Sequence, residues 1–411
     1  MKKLVTLLIA ATPALLLAQG FQVNLQGQRQ QGMGGAGTAF MQDGAALFFN
    51  PGGMSFVKGS SVNVGVSPTI AHAVFRDEAT GNQSETTSGA SYPFTAYGVF
   101  GCDSSKHKVM NDLKFGIGVY TPFGSTITWE DNWTGRFALT SLSLTSVFIQ
   151  PTVSYKITDK LGLGAGFVYG IGHVNLKKDI PVMDANGNYG KAELDGNANG
   201  FGFNAGIYFQ PVEKFSVALS YRSQVNMKVE GGDATFTVPS SLASNFPNGD
   251  FSASLPLPQV ATLGLMFKPV PKLTLALDVN FVGWKAYDTL AFDYETNTST
   301  LEDTKEARMY ENSFAFRLGA QYAITESFDA RLGIAYGITP IQDGYVTPET
   351  PDANRLNLAA GLGYKFGQHF AADASFTYEH LERTDSNKSS NLSGTYKTYV
   401  FIPGLSIAYK F

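Results

Sequence analysis

The chain has 411 residues, a net charge of −4, a mean hydropathy of −0.05 and 13% aromatic residues. A mildly acidic balance argues against a nucleic-acid partner, which would favour a basic patch. No apolar run beyond the first residues approaches the roughly 20 residues of a membrane-crossing helix. One cysteine, Cys102, permits no internal disulfide, so an exported chain of this size must rely on core area or on a membrane.

Export is written at the start of the chain. Lys2 and Lys3 precede an apolar run from Leu4 to Leu17, and Leu16-Leu17-Ala18 offers a small-residue site. Residues 1–18 therefore read as a signal peptide cleaved after Ala18. No cysteine follows that point, which argues against a lipid anchor. Loss of Lys2 and Lys3 takes the net charge from −4 to −6.

The next stretch, residues 19–56, fits neither a strand nor a helix. Glycines cluster at Gly32, Gly34, Gly35 and Gly37, and the stretch closes on Asn50-Pro51-Gly52-Gly53. Everything after it, residues 57–411, alternates with period two. From Leu273, one face carries Leu275, Leu277, Val279 and Phe281, and the other Thr274, Ala276, Asp278 and Asn280. Such strands are half-buried, in a sandwich or in a barrel wall. About fourteen are expected, beginning near residues 60, 94, 113, 137, 161, 197, 214, 257, 272, 309, 327, 355, 369 and 397.

The connections favour the barrel. Tight links such as Thr158-Asp159-Lys160, Lys268-Pro269-Val270-Pro271 and Phe366-Gly367-Gln368 alternate with long polar ones over 76–92, 122–136, 177–196, 231–256, 286–308, 339–354 and 382–396. Short turns at one end and long loops at the other are the layout of an outer-membrane barrel of a Gram-negative cell. An even strand count puts both termini on the periplasmic, short-turn side. One link, Cys102 to Asp112, should be short and is not. Aromatics such as Trp129, Trp133, Tyr221, Trp284 and Tyr409 gather at strand ends, where interfacial girdles sit. The fold class is thus all-β: a transmembrane antiparallel barrel with the irregular stretch as a plug in its lumen. The last strand alternates through Tyr399, Phe401, Leu405, Ile407 and Tyr409 and ends on Phe411. That ending is similar to the signal read by the outer-membrane barrel assembly machinery.

Four motifs in order resemble one known family, the FadL-type outer-membrane transporters of long-chain fatty acids and other hydrophobic compounds. They are Gly20-Phe21-Gln22 with the glycine run and Asn50-Pro51; Tyr120-Thr121-Pro122-Phe123-Gly124 with Trp133 and Gly135-Arg136-Phe137; Trp284; and Thr350-Pro351-Asp352-Ala353-Asn354-Arg355. The resemblance covers nearly the whole mature chain. It implies a fourteen-stranded barrel with a small hatch, a ligand captured outside, an internal pocket, and lateral release through an inward kink of the third strand. One departure stands out. The family usually has Ala after Asn-Pro, and here Gly52 and Gly53 follow, so a looser hatch turn is expected.

Candidate site residues follow. Val238-Pro239 leads into a short amphipathic turn with Leu242 and Phe246 on one face, an outer apolar site on an otherwise polar loop; self-packing of that loop is the alternative. In the hatch, Asn50, Pro51 and Gly52 form the gate turn, Phe48 and Phe49 face the wall or the pocket, and Phe21 touches ligand or anchors the end. For the lateral opening, Gly116 and Gly118 lie within the third strand, and Pro122 and Gly124 end it. Arg136 and Arg355 are candidates for a ligand carboxylate because they stand in the family-like motifs. The luminal charges Asp278, Asp329, Arg331, Asp373 and Glu379 are expected chiefly to pair with one another.

Catalysis is not expected. His72, His107, His173, His369 and His380 are scattered with no nucleophile beside them, and no metal or cofactor motif occurs. A general diffusion porin for small polar solutes is the competing reading, but it has no use for thirty-odd irregular residues before its first strand. The expected partners are a hydrophobic small molecule, outer-membrane lipid and lipopolysaccharide, and the assembly machinery, with the chain acting as a monomer.

Overall fold

The computed structural model of the protein describes residues 20–101 and 111–411. The expected signal peptide, Gln19, Cys102, His107 and most of the anomalous link before Asp112 lie outside them.

Fourteen wall strands close into one antiparallel barrel. β1 runs Ser61–Val66 and Ile70–Asp77, β2 Gln83–Glu85 and Phe94–Gly101, β3 Leu113–Tyr120 and Gly124–Thr128, and β4 Ser141–Thr158. β5 is Leu161–Met183, β6 Tyr189–Val212, β7 Phe215–Arg222 and Val225–Thr237, and β8 Gly249–Leu257 and Val260–Val270. β9 is Leu273–Val282 and Thr289–Tyr294, β10 Thr304–Ala307 and Ser313–Ala323, and β11 Phe328–Gly337. β12 is Arg355–Phe366, β13 Phe370–Ser386 and β14 Ser393–Lys410. The last strand returns to the first with Ser61 opposite Lys410 and Val66 opposite Leu405. Closure satisfies the ladder without a free edge, the condition for a sheet that crosses lipid.

The two faces of the wall are inverted relative to a water-soluble protein. Leu332 is 68% exposed and Leu405 65%, whereas Asp278 is 1% and Arg331 2%. The apolar parity seen in the sequence therefore faces lipid, and the polar or small parity faces the lumen.

The lumen is filled by residues 20–57, which contain helix α1 (Gln28–Gln31), helix α2 (Ala46–Phe49) and a 3-10 turn at Pro51–Phe56. This inner segment is tied around the whole ring. The Arg29 guanidinium lies 2.9 Å from Asp373 on β13, and the Gly37 and Thr38 N–H groups donate to Asp278 on β9 at 2.9 and 3.0 Å. Gln150 on β4 donates to the Leu47 carbonyl at 3.0 Å. Arg331 pairs with Asp373 at 2.8 Å and with Asp329 at 3.6 Å. The luminal charges thus pair with each other and with the inner segment, as desolvated charges must.

Several stretches expected as loops are strand. β5 and β6 continue to a turn at Asp184–Asn188, where the Asp184 carboxylate accepts from the Asn186 and Asn188 N–H groups at 2.8 Å. β13 and β14 likewise extend past 382–396 into strand at both ends of that range. Polar composition suggested loops there. The ladder nonetheless continues, β5 pairing with β6 as far as Met183 opposite Tyr189 and β13 with β14 as far as Ser386 opposite Ser393.

Candidate functional site

The Asn50-Pro51-Gly52 turn sits in a cradle of wall glycines. The Asn50 carboxamide oxygen accepts from the Gly52 N–H at 2.9 Å and the Gly53 N–H at 3.3 Å, capping the 3-10 turn. Its Nδ2 donates to the Ile207 carbonyl on β6 at 3.0 Å and the Leu219 carbonyl on β7 at 3.4 Å. Every polar atom of the side chain is used, and the residue is fully buried. Gly162 and Gly164 on β5 and Gly206 on β6 lie against this turn; a Cβ on any of them would fall within 2.4 Å of an inner-segment atom. Gly52 is equally constrained, since a Cβ there would meet the Gly206 carbonyl oxygen at 2.5 Å. The expectation of a loose turn is therefore corrected: Gly52 lets the backbone press on the wall, and the seat is tight.

Phe48 and Phe49 belong to the same anchor. Arg222 lies 4.0 Å over the Phe48 ring and donates to the Phe48 carbonyl at 2.8 Å, and Phe49 packs edge-on against Phe48 at 5.2 Å.

The N-terminal end of the inner segment patches a break in the wall. β3 leaves its ladder between Tyr120 and Gly124, where proline removes a donor at Pro122. The Val23 N–H donates to the Pro122 carbonyl at 2.9 Å, and the Gly124 N–H donates to the Phe21 carbonyl at 3.2 Å. β2 is interrupted beside it, between Glu85 and Phe94. Gly116 and Gly118 are not at the break. They lie in regular ladder with β2 and β4, and a Cβ on either would strike Leu47 at 2.5 and 2.8 Å.

Two cavities meet at Phe21. The lower, of about 500 Å³, runs from Asn24, Gly35, Arg317 and Arg355 to the wall break at Ser88–Phe94 and Thr121–Ile127. The upper, of about 100 Å³, lies toward the long-loop end and is lined mainly by apolar side chains, among them Leu142, Leu144, Met227, Leu257, Tyr287 and Leu290. Phe21 and Phe123 line both. The Phe21 ring packs edge-on against Trp284 at 4.8 Å, Tyr287 at 5.8 Å and Phe123 at 6.2 Å. Gly20 before it has φ +62°, and a Cβ there would meet Trp284 at 2.8 Å; glycine answers both constraints.

This end is held by a charged clip. The Gly20 N–H donates to Asp352 Oδ2 at 2.9 Å, as does Thr339 Oγ1 at 2.8 Å. Burial pushes the Asp352 carboxyl above its ordinary range, against the pull of Arg355 and the Gly20 N–H. Arg355 donates to the Gly20 carbonyl at 3.3 Å and pairs with Asp352 and Glu379, each at 3.4 Å.

The other expected residues lie elsewhere. Arg136 is 3.9 Å from Asp179 and stands between the Phe137 and Tyr189 rings at 4.9 Å each, away from both cavities. Val238 and Phe246 pack against an apolar cluster that includes Ile180, Leu194, Phe236, Phe251 and Tyr294, with the Phe246 ring 6.1 Å from Phe236. Leu242 closes a 3-10 turn at Ser240–Leu242 and lines neither cavity. Sequence reasoning missed Arg317, Asn24 and the upper ring. The ring had a signal: on β5 the apolar parity is odd through Ile171 and switches to even at Val174 and Leu176.

Comparison with known proteins agrees with this geometry. Residues 7–411 match the family described as outer membrane protein transport protein (OMPP1/FadL/TodX). An outer membrane protein of Neisseria meningitidis is 26% identical over 100% of this chain and 99% of its own. A long-chain fatty acid transport protein of Salmonella typhi is 21% identical over 68% of this chain and 69% of its own. Among solved structures, a Pseudomonas aeruginosa FadL homologue superposes with a TM-score of 0.83 at 19% identity, covering 96% of this chain and 100% of the other. The toluene transporter TodX of P. putida gives 0.73 at 16% identity, covering 96% and 99%. These low identities carry the fold alone. The family is one of transport proteins rather than enzymes. The chain belongs to the OMPP1/FadL/TodX family of outer-membrane transport proteins.

Proposed function

We propose that this protein carries hydrophobic compounds, long-chain fatty acids foremost, from the cell exterior into the outer membrane. The route begins in the upper apolar cavity, passes Phe21, enters the lower cavity and leaves through the break between β2 and β3. The observation that carries this reading is the pair of cavities sharing Phe21, the lower one reaching the wall where the ladder fails. An apolar cavity of about 150 Å³ holds benzene, so the upper one takes part of a chain at a time. The lower one falls in the range of about 300–1,000 Å³ typical of small-molecule sites.

The inner segment acts as the hatch in this reading. Its body, seated on the glycine cradle, stays in place, and the stretch from Gly20 to Leu25 moves aside for ligand. The single-barrel route requires no second copy. The relatives' names divide between fatty acids and toluene; the size of the lower cavity favours an elongated chain.

Liposomes containing the purified protein test the proposal. Labelled oleate should be taken up saturably, while planar bilayers with the same protein show little ion conductance. Large steady conductance without oleate uptake would instead establish a diffusion porin.

A further inference from the structure

The short-turn end of the barrel carries an arc of unpaired lysines. Lys160, Lys214 and Lys272 each stand immediately before a strand, at the starts of β5, β7 and β9, and all three are exposed. Lys268, near the foot of β8, is partly exposed, and its N–H donates to the Lys214 carbonyl at 2.8 Å, so these two are cross-strand neighbours. Among the described residues, no carboxylate lies within 4.0 Å of the ammonium group of any of the four. Asp159 reaches only Lys156, at 3.9 Å. Like charges abreast on neighbouring strands repel one another. At the long-loop end the sign reverses, with Asp195, Asp233 and Asp250 in register on β6, β7 and β8. Charge on this side of the barrel is thus separated lengthwise.

Apolar surface adjoins the arc on the lipid side. Phe209 on β6 and Phe267 on β8 are both exposed, with β7 between them: Val217 lies opposite Phe209, and Phe215 opposite Phe267. Leu219 and Leu263, opposite one another on β7 and β8, continue that face toward the membrane centre. Lys160 flanks Phe209, since the Gln210 N–H donates to the Lys160 carbonyl at 2.7 Å. Aromatic rings of a barrel wall sit at the headgroup level. A lysine beside them lays its methylenes on apolar surface and carries its ammonium out to the phosphates. A soluble acidic partner would meet the lysines and leave Phe209 and Phe267 unused. A phospholipid uses both.

We propose that this arc binds an anionic phospholipid of the inner leaflet. Lys214 and Lys268 hold the phosphate, Lys160 and Lys272 add to the surrounding positive field, and the acyl chains lie on Phe209, Phe267, Leu219 and Leu263. The short turns of an outer-membrane barrel face the periplasm, which places the site at the inner leaflet. It lies on the outside of the wall and shares no residue with either cavity. The assignment therefore does not depend on which compound the protein carries.

The test is native mass spectrometry of the folded, detergent-solubilised protein, titrated with phosphatidylglycerol and with phosphatidylethanolamine of the same acyl chains. Wild type should bind phosphatidylglycerol roughly tenfold or more tightly than phosphatidylethanolamine. Lys214→Gln/Lys268→Gln should weaken phosphatidylglycerol binding by about fivefold for each lysine removed and change phosphatidylethanolamine binding less than about twofold. Lys214→Arg/Lys268→Arg, which keeps both charges, should retain the preference. Lys191→Gln/Lys285→Gln, which removes two exposed lysines of the long-loop end, should leave it unchanged. Equal affinity of wild type for the two lipids, or equal losses in the two Gln variants, would overturn the assignment. Displacement of the lipid by inorganic phosphate at matched ionic strength would reduce the arc to a site for free anions. Wild type that shows no lipid preference yet binds polyglutamate would overturn the lipid in favour of an acidic protein.

Discussion

At Gly52, one hydrogen atom in place of a methyl group decides how the inner segment meets the wall. Gly52 presses on Gly162 and Gly206, and the neighbouring Asn50 bridges its own turn and two wall strands with four hydrogen bonds. Gly52→Ala would force the turn off its seat, an overpacking cost of about 1–3 kcal/mol. Asn50→Ala removes hydrogen bonds worth about 1 kcal/mol each and strands buried partners, for a loss of roughly 2–4 kcal/mol. Thermal unfolding followed by the heat-dependent mobility of the barrel on gels should show both variants melting below wild type, with Asn50→Ala the lower. Gly52→Ala melting at or above the wild-type temperature would mean the cradle has slack.

Among the strands, the inverted wall predicts where charge is tolerated. Leu332 faces lipid from the middle of β11, so Leu332→Arg should destabilise the folded barrel by about 2–4 kcal/mol. The same substitution on a strand extension above the membrane should cost far less; denaturant titration in lipid vesicles measures both. Much of this was legible from residues alone. The period-two pattern located the strands, because lipid enforces one apolar face as firmly as a core does. The extensions of β5, β6, β13 and β14 were not legible, because their polar residues on both faces look like loop. Glycine recurs at Gly162, Gly164 and Gly166 on β5. They are the imprint of the inner segment, since Gly162 and Gly164 stand where its backbone touches the wall. Arg136 and Arg355 attracted notice through their motifs, yet both are held by acids. Arg317 stood in no motif, and its place on the lower cavity is a three-dimensional fact.

Taken whole, the molecule is a lipid-facing cylinder filled by its own N-terminal segment, with two neighbouring cavities and, beside the lower one, a place where β2 and β3 leave their ladder. Transport by this route requires that ligand leave through that place. Ser91 lines the lower cavity at the break, so a single cysteine there, in a Cys102→Ala background, puts a reversible stopper in the mouth. A bulky thioalkyl group, transferred to that cysteine from a methanethiosulfonate reagent with loss of methanesulfinate, should abolish oleate uptake into liposomes, and reduction of the mixed disulfide should restore it in the same folded protein. Full uptake with the stopper in place would contradict lateral release between β2 and β3.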